Sequence, residues 1–369
     1  MTAVADLKAD VRVIVTPGSG FEVRSSISGM YGEKIRAQIE STLSLFPTDG
    51  LHVAVEDGGA LPFVLRARLE AALSRATAVP LPELGRIETQ VVRERSRRTR
   101  LYIPGHAPRF FLNASLAGAE VVVLDLEDAV PEAEKLDARS LVRHAAPQLD
   151  WQGAEVAVRV NVGSLGLEDI RATANRGVHL FLVPKVESAQ ELVRVAELLD
   201  ELEAPCQLMP LIETALGVER AFEIASASPR VVAISLGLED LLADLGAQRT
   251  PGQEESAWAQ GRLINAARAA GIQPLASVFP GFEDLADVSA YALTARQRGY
   301  EGIGCIHPSQ VKPVHQAFKP TEPEMEWAAK VIEAFESQGK GAGSVNGSMI
   351  DAPVYRRALR VVALAGDLA

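Results

Sequence analysis

The residues best suited to chemistry in this chain stand at the ends of apolar runs. Asp125, Glu127 and Asp128 close VVVLDLED, Arg159 and Asn161 close EVAVRVN, and Lys185 and Glu187 end LFLVPKVE. Glu213 ends CQLMPLIET, Glu239 and Asp240 end VVAISLGLEDL, and His307 ends EGIGCIHP. One charge in such a place is ordinarily a salt bridge or a solvated loop. Acids and bases repeated at successive run ends point instead to a shared site. Glu213 and Asp240 offer oxygen donors suited to a hard cation that keeps several waters, Mg²⁺ first and Mn²⁺ second. Asp125, Glu127 and Asp128, with Lys185 beside them, would hold that metal's waters. Arg159 presents a planar fork to a carboxylate or a developing enolate oxygen.

Other chemistries lack their residues. Cys206 and Cys305 are the two cysteines, each within an apolar run, so neither a disulfide framework nor thiolate zinc spacing is present. There is no G-x-S-x-G elbow, no Walker loop, and no G-x-G-x-x-G after an early strand. Acyl-serine hydrolysis, P-loop hydrolysis and a dinucleotide fold therefore lose support.

The elements that would carry these residues alternate regularly. Eight strand candidates (LYIPG, VVVLDLED, EVAVRVN, LFLVPKV, CQLMPLIET, VVAISLGLEDL, QPLASVF and EGIGCIHP) are separated by amphipathic segments such as AQELVRVAELLDEL. Continuous Val, Ile and Leu runs alternating with helices indicate a parallel sheet covered on both faces, and eight such units indicate a closed (β/α)8 barrel. Barrel enzymes hold their sites at the carboxyl ends of the strands, where the charged residues fall. Before the barrel, VRVIVTP, FEVRSSI and LHVAVED read as strands, and Tyr31 to Leu45 and PFVLRARLEAALSRA as helices, forming a small α+β unit. The expected division is an N-terminal domain over 1–79, a linker over 80–97, the barrel over 98–320 and a C-terminal helical lid over 321–369. The linker's Arg93, Arg95, Arg97, Arg98 and Arg100 read as solvated.

Composition bounds the rest. The 369 residues accommodate one barrel, which takes about 250, and one small module. A content of 47% hydrophobic and 23% charged residues is that of a globular chain. The net charge of −11 argues against a nucleic-acid surface. The N-terminus MTAVADLKADVRV has no basic stretch followed by a long apolar one, so the expected compartment is the cytoplasm.

RTRLYIPG, VVLDLEDAV, VAVRVN, LVPKVES, LIETALGV, LGLEDLLADLGAQRT, INAARAAGI, IHPSQV and NGSMIDAPV together resemble the citrate lyase β-subunit-like family, within the HpcH/HpaI aldolase and malyl-CoA lyase group. The resemblance implies the same barrel, a Mg²⁺ site with Glu213 and Asp240 as ligands, and Arg159 on the substrate. It implies CoA over the barrel mouth near Arg98, Tyr102, Pro104 and His307. It also implies that Asp351, in NGSMIDAPV, serves proton transfer in a neighbouring subunit's site, hence a homo-oligomer, in expectation a trimer. The implied reaction is retro-Claisen cleavage of a hydroxy-dicarboxyl-CoA thioester to an acyl-CoA and a 2-oxo acid. The alternatives are a subunit acting on a carrier-bound citryl thioester, a condensing enzyme with a following thioester hydrolysis, and a silent scaffold. The first 79 residues resemble the citrate lyase γ subunit, an acyl carrier, through VEDGGALPFVLRARLEAALSRA. Lys8 stands where that carrier has its prosthetic-group serine, and Ser19 is a poorly placed substitute. A lysine cannot form the phosphodiester, so carrier chemistry is expected to be lost.

Overall fold

A computed structural model of the chain describes residues 9–250, 252–337, 343–345 and 348–366. Lys8 lies outside them. The N-terminal module contains β1 (Val11–Pro17), β2 (Phe21–Ser25), α1 (Ser28–Leu43), β3 (Leu51–Asp57) and α2 (Pro62–Thr77). Its sheet has the order β1-β3-β2, with β1 antiparallel and β2 parallel to the central β3. Pro62 opens α2, where a missing N–H costs no helical hydrogen bond. Ser19 sits in the turn between β1 and β2.

The eight apolar runs form a closed parallel barrel: β4 (Thr99–Pro104), β5 (Val121–Asp125), β6 (Glu155–Arg159), β7 (Leu180–Val183), β8 (Gln207–Ile212), β9 (Ala233–Leu236), β10 (Gln273–Val278) and β11 (Ile303–Cys305). Closure comes from β11 pairing with β4, through Ile303 opposite Thr99 to Cys305 opposite Leu101. The helices between and after the strands are α3 (Pro108–Phe111), α4 (Lys135–Ala145), α5 (Gly163–Thr173), α6 (Ala189–Glu201), α7 (Ala215–Glu219), α8 (Ala221–Ala225), α9 (Leu238–Leu245), α10 (Ala257–Ala270), α11 (Leu285–Arg298) and α12 (Val311–Phe318). Beyond them, α13 (Glu322–Ser337), the short hairpin β12 (Gly343–Val345) and β13 (Ser348–Ile350), and α14 (Ala352–Gly366) form a separate small cluster around Val331, Phe335 and Ile350.

The barrel interior is layered. Val121, Val123, Ala157, Leu182, Met209 and Leu275 fill its middle. At its amino end Arg97 plugs the floor: it donates to both oxygens of Glu155 (2.6 and 2.8 Å), to Gln207 at 2.9 Å and to Gln273 at 2.8 Å. This overturns the solvated reading for Arg97, Arg98 and Arg100, which are all buried, while Arg93 is exposed and Arg95 half-buried. Arg97 is a structural part of the barrel, and Arg100 points into its interior. The physical reason is strand alternation: Arg100 and Tyr102 share the inward face of β4.

The module is fastened to the barrel through α2 and α4. Glu70 of α2 is fully buried and accepts from Arg66 at 2.8 Å; its other oxygen lies 2.7 Å from His144 Nε2 and 3.5 Å from Arg143 Nη2. Burial works to raise the Glu70 carboxyl, but the His144 hydrogen bond and the neighbouring charges outweigh it and hold it below its ordinary value. Removing one partner of a buried cluster leaves the other charges uncompensated, at a cost of about 3–5 kcal/mol. Glu70→Ala is therefore expected to lower the thermal midpoint by several degrees and to expose α2 and α4 to hydrogen exchange. Unchanged exchange in both helices would show that the contact does not hold the module in place.

Candidate active site

The carboxyl ends of the strands surround a cavity of about 440 Å³. Tyr102, Pro104, Asp125, Asp128, Arg159, Glu213 and Asp240 line it, so most of the residues singled out from the sequence do converge. The register explains the first contact: Asp125 of β5 lies opposite Arg159 of β6. Arg159 grips Asp125 in a two-pronged pair, with Nε 2.8 Å from Oδ1 and Nη2 on Oδ2. Its Nη1 lies 3.0 Å from Glu127 and 3.3 Å from Asp128, and the guanidinium stacks over the Tyr102 ring at 5.5 Å. Burial works against the charge on Arg159, yet the Asp125 hydrogen bond and charge overcome it and raise its pKa. The fork is fixed, charged and aimed into the cavity.

Glu213 follows β8 and is 3% exposed. One oxygen accepts the Lys185 backbone N–H at 3.0 Å. Lys185 adopts φ 51°, a left-handed conformation that costs energy for a side-chain-bearing residue and here turns that N–H toward the carboxylate. The other oxygen faces Gly237, where a Cβ would stand 2.4 Å from it. Only glycine leaves Glu213 its place. Asp240 comes from the first turn of α9, after β9, rather than from the strand end itself. The Lys185 ammonium bridges Asp240 at 3.3 Å and Glu127 at 3.4 Å.

Five carboxyls, Asp125, Glu127, Asp128, Glu213 and Asp240, thus crowd around two cations, Arg159 and Lys185. Burial and the crowding of like charge both act on these carboxyls. Burial, together with Glu127 and Asp240, pushes Glu213 up to about 7. Burial, with Asp128 and Asp125 adding to it against Arg159 and Lys185, pushes Glu127 up to about 7. Such a site attracts a divalent cation with oxygen ligands. Among the described residues no three His, Cys, Asp or Glu side chains could enclose an ion by themselves.

Arg98, His307 and Asp351 do not line this cavity. Arg98 precedes β4 at the amino end of the barrel, buried and paired with Glu120, its Nε at 2.7 Å. It faces away from the mouth, so the expected role on a CoA phosphate there is withdrawn. His307 stands on the carboxyl-end rim, exposed, but does not line the cavity. Its ring caps the turn after β11 by accepting the Ser309 N–H, and it stacks on Phe282 at 5.0 Å. Asp351 also lies outside the cavity lining: its carboxylate accepts the Val354 N–H at 3.1 Å and caps α14. Sequence reasoning missed Arg100. It lies beneath Tyr102 among the cavity's lining residues, bonded to Ser235 at 3.2 Å and to the Ala276 carbonyl at 2.7 Å, with Nε and Nη1 buried without partners. The alternation of β4 was the signal that could have found it.

Comparison with known proteins identifies the family. Residues 98–308 match the family model described as HpcH/HpaI aldolase/citrate lyase, and residues 7–76 match one described as malonate decarboxylase delta subunit. Citrate lyase subunit beta of Leuconostoc mesenteroides subsp. cremoris is 37% identical over 288 residues, covering 74% of this chain and 94% of that protein. Human mitochondrial citramalyl-CoA lyase is 31% identical, covering 82% and 94%. The crystal structure of CitE from Mycobacterium tuberculosis in complex with magnesium, acetoacetate and coenzyme A superposes with a TM-score of 0.64 at 32% identity, covering 74% of this chain and all of that one. With the matched region spanning the barrel and its acidic mouth, the chain belongs to the HpcH/HpaI aldolase/citrate lyase family.

Proposed function

We propose that the protein is a Mg²⁺-dependent carbon–carbon lyase that cleaves a 3-hydroxy-dicarboxyl-CoA thioester of the citramalyl, malyl, methylmalyl or citryl type. The observation that carries this reading is the buried, charge-crowded Glu213 and the half-exposed Asp240 in one cavity with the fixed Arg159 fork. Glu213 and Asp240 would hold the metal, which when bound supplies Lewis-acid stabilisation of the oxygen that loses its proton. Glu127 and Asp128, on Lys185 and Arg159, hold the surrounding polar shell. The bond between the hydroxyl-bearing carbon and the thioester α-carbon breaks. The first becomes the carbonyl of a 2-oxo acid, and the second takes the electron pair as a thioester enolate. Arg159 stabilises that enolate oxygen, and Asp351 of a neighbouring protomer takes up the hydroxyl proton and delivers it to the α-carbon, yielding the acyl-CoA. The active unit would then be a homo-oligomer, in the first instance a trimer, acting in the cytoplasm. No helix among the described residues is long and apolar enough to cross a membrane.

The test is a panel of citramalyl-, malyl-, methylmalyl- and citryl-CoA with purified protein and Mg²⁺, following acyl-CoA and 2-oxo acid by chromatography. Free CoA released together with a free acid would indicate a following thioester hydrolysis. Absence of turnover on every member would overturn the reading.

The match of residues 7–76 to a carrier-type family model raises a second reading, in which the substrate is carried on the protein itself. Two features weigh against it: Lys8 in the acceptor position, and a module fastened to α4 rather than free to swing. Intact-mass measurement of protein from its native cell is therefore expected to give the unmodified mass. A mass increase mapping to residues 1–30 would restore the carrier.

A further inference from the structure

A second and larger cavity, of about 850 Å³, lies between the N-terminal module and the barrel, away from the strand ends that hold the candidate active site. The segment following α2 forms one wall, and α4, α5 and the end of α6 form the others. Five arginines line it: Arg86, Arg139, Arg143, Arg171 and Arg176. Four of these have carboxylate partners, Arg143 by sharing Glu70. Arg139 pairs with Asp169 at 2.7 Å and Glu168 at 2.8 Å, Arg86 with Glu203 at 2.5 Å, and Arg171 with Glu201 at 3.8 Å.

Arg143 and Arg176 are different. Among the described residues Arg176 hydrogen-bonds to two backbone carbonyls, those of Arg143 and Gly85. Arg143 is 2% exposed, gives Nη2 to the Pro82 carbonyl, and leaves its buried Nε with no hydrogen-bond partner. Its nearest carboxylate, Glu70 at 3.5 Å, is already committed to Arg66 and His144. Arg66, Arg143 and Arg176 thus lean on one carboxylate, Arg143 being the buried one of the three, while Glu83 also lines the cavity. Uncompensated buried charge of this kind is costly unless a counter-ion neutralises it. Burial pushes Arg143 down to about 10, with Glu70 opposing and Arg176 and Arg66 adding to the fall.

We infer that this cavity is a binding site for a small multiply charged oxyanion, a phosphate ester or a polycarboxylate, held between module and barrel by Arg143 and Arg176. The guanidinium fork matches the paired oxygens of either group. Because both walls contribute, the ligand tightens the attachment of the module to the barrel.

The experiment is thermal unfolding of the full-length protein titrated with inorganic phosphate, pyrophosphate or citrate, each against sodium chloride at matched ionic strength. A ligand that binds only the folded protein raises the midpoint with its concentration over its dissociation constant. At least one anion is expected to give a saturable rise of several degrees that chloride does not. Arg176→Gln should abolish the rise and leave lyase turnover intact. Saturation by phosphate or pyrophosphate alone assigns a phosphate ligand, and saturation by citrate alone a polycarboxylate. No saturable rise with any anion, or the same rise in Arg176→Gln, overturns the site. Should Arg176→Gln not fold, the exposed rim double variant Arg86→Gln, Arg171→Gln is expected to weaken apparent affinity several-fold, and unchanged affinity overturns it equally.

Discussion

Glu213→Gln should abolish lyase turnover, by roughly 10³-fold or more, the scale that several kcal/mol of lost charge stabilisation implies. The substitution keeps the shape of the side chain, and the amide oxygen can still accept the Lys185 N–H that Glu213 accepts at 3.0 Å. What it removes is the charge. Mg²⁺ binding measured by calorimetry should weaken in parallel. Stability should move the other way, which separates loss of chemistry from loss of fold. The folded protein holds the Glu213 proton up to about pH 7, whereas an unfolded glutamate releases it near its ordinary value. Between those limits the folded state binds more protons, so stability falls as pH rises through that window and stays low above it. Gln carries no such penalty, and metal-free Glu213→Gln should melt at or above the wild type at pH 8. Full activity in EDTA-treated wild-type protein, or undiminished turnover in the variant, would sink the metal assignment.

Much of this site was legible because a parallel barrel converts sequence position into place. A charged residue that ends a run of Val, Ile and Leu must emerge at the carboxyl-end rim, so Asp125, Arg159 and Glu213 could be assigned to one mouth without coordinates. Asp240 followed the same logic with a small displacement, one turn into α9. The failures have equally physical causes. Arg97 and Arg98 were read as linker because runs of arginine are usually solvated, yet burial here is sustained by Glu155, Gln207, Gln273 and Glu120, 22 to 176 residues away in sequence. The left-handed backbone of Lys185 leaves no mark in composition, since a lysine ordinarily avoids it. Glu70 meets His144 across 74 residues and two domains. No periodicity within α2 foretells that contact.

Asp351→Asn should cut turnover by roughly 10²- to 10⁴-fold, the range of a lost general acid–base group, while leaving Mg²⁺ affinity and the thermal midpoint close to wild type. Stability is spared because Asp351 caps α14 through the Val354 N–H, and asparagine caps a helix about as well as aspartate. The chain's own fold holds this residue away from its own cavity. The α13–α14 pair packs on itself, and Arg360 of α14 is tied to Glu301, just before β11 at the amino end of the barrel. Bringing Asp351 over its own mouth would break that Arg360–Glu301 pair. A neighbour's mouth requires no such break. A carboxylate delivered on another protomer can exchange a proton with the enolate while its segment excludes water, which an open barrel mouth cannot do. Complementation decides between the two arrangements. Asp351→Asn subunits keep an intact Glu213, and Glu213→Gln subunits keep an intact Asp351, so mixing two inactive preparations should restore activity at the sites that receive one good residue from each. If the subunits demonstrably exchange and every mixture remains dead, the aspartate works within its own chain or takes no part in the reaction.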